Sequence, residues 1–178
     1  MQELTPEQVL QVSQLVAQYI SNQRDRYAIR GVPLSAQQTE LLGPFFSRQA
    51  IESVRLCVLV DERIDNPDFY PVLLGLGFEN LPDQSTMAAV TFSDTIVSHG
   101  RITDGLLFHE LVHVEQYRQL GIAEFSNLYV RGFLAGGGYD GIPLERNAYA
   151  LGARFEAEPT NAFSVEAEVA TCIVGGLF

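Results

Sequence analysis

The segment His109-Glu110-Leu111-Val112-His113 constrains this chain more than any other feature. It sets two imidazoles at i and i+4, and residues four apart share one face of a helix. A single helical turn can then close both rings on one divalent metal ion. The adjacent Glu110 carboxylate is set to take a proton from a water rather than to bind the ion. The flanks predict that helix. Thr103 or Asp104 offers an N-cap. Leu107, Leu111 and Val114, with Phe108 and Val112 beside them, make a wide apolar stripe. Arg118 suits the last turn, and Gly121 is a natural C′ residue that ends the pattern. His109, His113 and Tyr117 share one flank, with Leu106 below them.

Two imidazoles do not complete a catalytic zinc site, which takes three protein ligands and leaves the fourth position to water. His113 is the last histidine of the chain. The third ligand must come from His99, upstream in Val97-Ser98-His99-Gly100, or from a carboxylate. Downstream the best candidate is Glu145. Pro143 reads as the first residue of another helix, whose buried stripe is Leu144, Ala148, Leu151 and Phe155. Glu145 falls in its first turn, beside that stripe, where it can face the His109 helix. The Gly136-Gly137-Gly138 run supplies the connection. The expectation is a zinc hydrolase, most often a peptidase. Other readings use the same residues. A fourth protein ligand such as His99 would close the site and make the zinc structural, the pocket would bind a partner peptide without cutting it, or the substrate would not be a peptide.

The runs HELVHVEQY (His109 to Tyr117) and IPLERNAY (Ile142 to Tyr149), with Gly121, Phe125 and Tyr129 between them, resemble small gluzincin-type metallopeptidase domains of bacteria. Some of those resemble the zincin-like core domain associated with contractile injection systems. The likeness spans roughly residues 85 to 155. It implies His109, His113 and Glu145 as zinc ligands and Glu110 as general base. It also implies a zincin-like α+β fold, in which a small sheet precedes the metal helix and its edge strand holds the substrate extended. Peptide deformylases share the His/Glu/His motif but take a Cys ligand from a Gly-Cys-rich loop. Here Cys57 lies instead in a strand-like run, Val54 to Val60.

Composition bounds the rest. A chain of 178 residues, 47% hydrophobic, predicts one folded domain over residues 1–178. Its parts are a helical region at 1–53, a sheet region at 54–100, the metal-site helices at 101–155 and a C-terminal segment at 156–178. The net charge of −11 argues against nucleic acid or an anionic membrane as partner; the expected partner, a peptide or protein substrate, follows from the His/Glu/His motif. Cys57 and Cys172 have no partner Cys at metal-ligand spacing and read as buried thiols. The N-terminus, Met1-Gln2-Glu3-Leu4, is not basic and no apolar segment follows. Ala170 to Phe178 is too short to span a bilayer, so a cytoplasmic protein is expected.

The scaffold is partly legible. Thr5-Pro6-Glu7-Gln8 is a helix start with a capping box, and Val9, Val12, Leu15, Val16 and Ile20 carry its stripe. Ser35 to Leu42 opens a second helix that Pro44 interrupts and Gln49 to Ser53 continues. Val54 to Val60 reads as a strand, Asp61 to Leu81 as loop-rich, and Met87 to Phe92 and Thr95 to Ser98 as two short strands around Ser93-Asp94. Phe163 to Ala170 fits a strand or a helix, with Glu166 and Glu168 facing solvent. For the oxyanion of peptide hydrolysis, Tyr129, Tyr139, Tyr149 and His99 are all candidates. Asp140 and Asn147 are candidates for holding the ligand imidazoles in place.

Overall fold

The Thr5 hydroxyl accepts from the Gln8 backbone N–H at 3.2 Å, while the Gln8 side chain accepts from the Thr5 N–H at 2.8 Å. This reciprocal cap starts α1 (Pro6–Ala28), as the sequence predicts. The computed structural model describes residues 4–178; the reading made on Met1 to Glu3 lies outside that range. Ser35 caps α2 (Ala36–Leu42) in the same way, and Ser47 starts α3 (Arg48–Ser53) beyond the break at Pro44. The next strand is shorter than its apolar run: β1 covers Arg55–Val58. The loop-rich segment contains one helix that the sequence did not announce, α4 (Tyr70–Gly75).

Strands β2 (Ala89–Phe92) and β3 (Thr95–Ser98) form a hairpin, with Ser93 in the left-handed region at φ 60°. The sheet order is β1-β3-β2, with β1 parallel and β2 antiparallel to β3. Arg24 of α1 pins the hairpin through two 2.8 Å hydrogen bonds to the Asp94 carboxylate. The register pairs Leu56 with Ile96 and Cys57 with Val97. Period-two alternation sends the first pair into one apolar cluster and the second into another. Both faces of this sheet are therefore covered, which is why its strands read as continuous apolar runs.

Between the two clusters runs α5 (Asp104–Gly136), capped by Thr103, whose hydroxyl accepts from the Leu106 N–H. Its Leu107, Phe108, Leu111 and Val112 enter the first cluster, with α6 (Pro143–Ala157) and α7 (Val165–Val174). Gly121 does break the helix, at φ 73° and ψ 164°, but the chain re-enters helix at once instead of ending there. The bend is sharp. Tyr117 and Phe125, eight residues apart, would lie about 12 Å apart along a straight axis, yet their rings stack at 3.8 Å. The second arm of α5 passes through a 3-10 turn (Tyr139–Gly141) into α6.

The fold is α+β: a three-stranded mixed sheet with seven helices among the described residues. The ambiguous Phe163–Ala170 segment is helical because Ser164 caps it and Val165 and Val169 bury at i and i+4. Glu166 there is exposed, and Glu168 is half-buried in an ion pair with Arg154. Cys57 is buried as expected; Cys172 is only partly so and accepts from the Asn147 amide. No described helix is long and apolar enough to cross a membrane.

Candidate metal centre

The first arm of α5 carries His109, Glu110 and His113 on the flank that faces away from the Leu107–Phe108–Leu111 stripe. All three are buried. Glu145 arrives in the first turn of α6, also buried. Pro143 supplies that helix start, and close backbone approach places it: a Cβ on Gly136 would sit 2.5 Å from Gly141 Cα, so only a residue without a side chain lets α5 end against this turn.

Three atoms converge. His109 Nε2 and His113 Nε2 are 3.1 Å apart, and Glu145 Oε2 lies 3.5 Å and 3.2 Å from them. Ligand atoms about 2.0–2.1 Å from a tetrahedral zinc ion stand about 3.3–3.4 Å apart, so the triangle fits one such ion. The hydrogen bonding agrees. Gln116 Nε2 donates to the Leu144 carbonyl and to Asn147 Oδ1, both at 3.0 Å, which fixes its amide orientation. Gln116 Oε1 therefore faces His113 Nδ1 at 2.9 Å and must accept from it. A neutral His113 then turns a lone pair, on Nε2, toward the Glu145 carboxylate. Glu145 Oε2 is buried without a hydrogen-bond donor. Lone pairs so arranged call for a cation, and this buried group could hold a metal ion.

Where no metal binds, a proton takes that role. Burial by itself would lower the His113 pKa, but the Glu145 carboxylate reverses this and lifts it to about 9. Burial would raise Glu145, yet the two imidazoles hold it well below the usual carboxylate range.

Glu110 stands outside the triangle. Its Oε2 accepts from the Thr91 hydroxyl of β2 at 2.7 Å. Burial pushes its pKa up, and the nearby imidazoles and Thr91 offset this only in part. The four side chains border a partly open cavity of about 130 Å³ lined by α1, the 67–87 segment and the second arm of α5. On the other side His109 and Glu110 border an open cleft of about 440 Å³ between Met87–Ala89 and α6.

The other predicted residues fall as follows. Tyr129 and Tyr139 line the cavity, and Tyr139 also lines the cleft. Burial and then the Glu145 charge push the Tyr139 phenol far above its ordinary pKa. Tyr149 is half exposed, its ring centroid 4.5 Å from that of His109. Asn147 supports the site at one remove, through Gln116. Asp140 is exposed and joins none of these contacts. His99 is occupied elsewhere: its Nε2 accepts from the Ile64 N–H at 3.0 Å, which leaves Nδ1 to donate to the Met87 carbonyl.

Sequence reasoning missed Gln116 and Thr91. Gln116 follows His113 by three residues on the same helix face, a spacing that points to it. Thr91 carries no such signal, because strand packing alone brings it to Glu110.

Comparison with protein-family models, curated proteins and solved structures gives no match.

Proposed function

We propose that this chain is a zinc-dependent peptidase of zincin-like architecture, with His109, His113 and Glu145 as ligands and Glu110 as general base. One observation carries the reading: two imidazole nitrogens and one carboxylate oxygen form a closed triangle, while a second carboxylate, Glu110, is held just outside it on the same cavity wall. A purely structural zinc would need a fourth protein ligand, and His99 already uses both ring nitrogens.

A zinc ion bound there supplies Lewis-acid polarisation of the scissile carbonyl and a more acidic water. The protein's own groups do the rest. Thr91 occupies Glu110 Oε2, which leaves Oε1 to take a proton from the attacking water and pass it to the leaving amine. Burial raises the basicity of this carboxylate, which suits both transfers. Met87–Ala89, which lead into the edge strand β2, border the open cleft opposite α6, and an extended peptide can lie between them. Tyr139, bordering both cleft and cavity and kept protonated by its surroundings, is placed to donate to the developing oxyanion.

The test is a mixed peptide library incubated with zinc-loaded protein and read by mass spectrometry. Cleavage should stop with a chelator and return with zinc. Glu110→Gln should keep the metal and lose about 10²–10⁴-fold in rate. No cleavage by zinc-loaded wild type, or full activity in Glu110→Gln, would reject the reading.

A further inference from the structure

The floor of the open cleft holds a glycine that packing does not explain. Glu145, Tyr149, Gly152 and Glu156 recur at i, i+4, i+7 and i+11, so they form one stripe along α6. The last three line the cleft. Gly152 lies inside the helix without a positive φ, and a Cβ there would meet nothing within 4 Å. Neither conformation nor close approach calls for glycine, which is disfavoured inside a helix relative to alanine. Its missing side chain leaves a notch in the cleft floor, with Tyr149 on one side and Glu156 on the other.

Glu156 bounds the notch with a charge. Its carboxylate lies against Gly105, in the first turn of α5, where a Cβ would displace it. The side chain is exposed, and no hydrogen bond or ion pair from another described residue engages it; Arg154, two residues earlier, pairs with Glu168 instead. The carboxylates of the cleft are Glu110 and Glu156, and no arginine or lysine lines it. Glu110 is held by Thr91 at the metal centre, which leaves the Glu156 charge open to an occupant.

We propose that the notch over Gly152 receives an arginine or lysine side chain of the peptide, its stem beside Tyr149 and its charge on the Glu156 carboxylate. The assignment deepens the peptidase reading and rests on it for the word substrate. Binding of the cation does not depend on cleavage. A free N-terminal amine carries the same charge without a stem to fill the notch. Gly152 lies seven residues beyond Glu145, about 10 Å along the helix axis. An extended peptide advances about 3.3 Å per residue, so the basic residue falls about three residues from the bond at the metal centre.

Two measurements separate the ideas. Binding is read on Glu110→Gln protein in zinc-containing buffer, followed by NMR. The probes are blocked alanine hexapeptides carrying one arginine, each matched by the same peptide with citrulline, which keeps the shape and loses the charge. The arginine peptides should bind about threefold more tightly at low salt, the scale of one exposed ion pair, and the difference should shrink as salt rises. Adding Glu156→Gln should erase the difference and leave citrulline-peptide affinity unchanged. Adding Gly152→Leu should fill the notch and weaken arginine binding, while the protein melts no lower than before. In parallel, the sites that the wild type cuts in the peptide library are mapped. They should keep a fixed spacing from arginine or lysine, and Glu156→Arg should move them to aspartate or glutamate. Equal binding of the matched peptides, a preference that survives Glu156→Gln, or undiminished arginine binding in Gly152→Leu would overturn the assignment. So would cleavage indifferent to basic residues. If the arginine preference in binding holds while no peptide is cut, the peptidase reading fails and the cation notch stands.

Discussion

Gln116 Oε1 accepts the His113 Nδ1–H at 2.9 Å, and that single contact decides which nitrogen of His113 faces Glu145 and the candidate metal centre. The amide cannot flip, because its Nε2 is committed to the Leu144 carbonyl and to Asn147. The first turn of α6, which delivers Glu145, thus also orients the imidazole opposite it. Gln116→Leu should weaken zinc binding about 10–100-fold without unfolding the protein. Competition titration with a coloured chelator measures it; an unchanged affinity would show that the imidazole is oriented by packing alone.

Metal content tests the ligand set. Protein purified without added metal, then titrated, should take up about one Zn²⁺ per chain. His113→Ala and Glu145→Ala should each abolish tight uptake. Glu156→Ala and Glu158→Ala, which alter exposed carboxylates later in the chain, should leave it intact. Equal losses from Glu145→Ala and Glu156→Ala in elemental analysis would count against the triangle.

The His113–Glu145 contact also sets a pH window for the chelated protein. His113 is raised from its ordinary 6.5 to about 9, so its contribution is complete below pH 6.5 and is lost as pH rises through 9. Glu145 is depressed from its ordinary 4.5, so its contribution is complete above pH 4.5 and fades as pH falls below it. The chelated protein should therefore melt highest between about pH 4.5 and 6.5 and lose stability toward pH 9. Zinc requires neutral His113, so the loaded protein should not show that alkaline loss, and zinc uptake near pH 7 should release protons. Melting curves across pH, with chelator and with zinc, give both results. A chelated protein as stable at pH 9 as at pH 6 would refute the coupling.

His99 should behave as a clasp. It ties Ile64, at the start of the cavity-covering segment, to Met87, at the foot of β2. His99→Ala should cost about 1–3 kcal/mol of stability, since the Ile64 N–H loses its partner. Zinc stoichiometry should stay the same. Denaturant unfolding and metal analysis on one sample check both; loss of zinc would return His99 to the list of ligands.

Much of the site is legible in the chain because its parts are local. His109 and His113 share a face through the helical repeat, Thr5, Thr103 and Ser164 cap through their own first turns, and Pro143 with the Leu144–Ala148–Leu151 stripe announces the helix that carries Glu145. These features depend on backbone geometry within four residues, which needs no knowledge of the rest of the fold. What only the tertiary structure decided is where those pieces meet. The Gly121 bend turns α5 back on itself, and the Gly136–Gly141 approach seats α6. Packing brings Thr91 onto Glu110 and sends His99 to Ile64 rather than to the metal centre. The cavity joins α1 to a segment some seventy residues later in the chain, so its walls arise from burial of apolar faces, which carries no fixed spacing along the sequence.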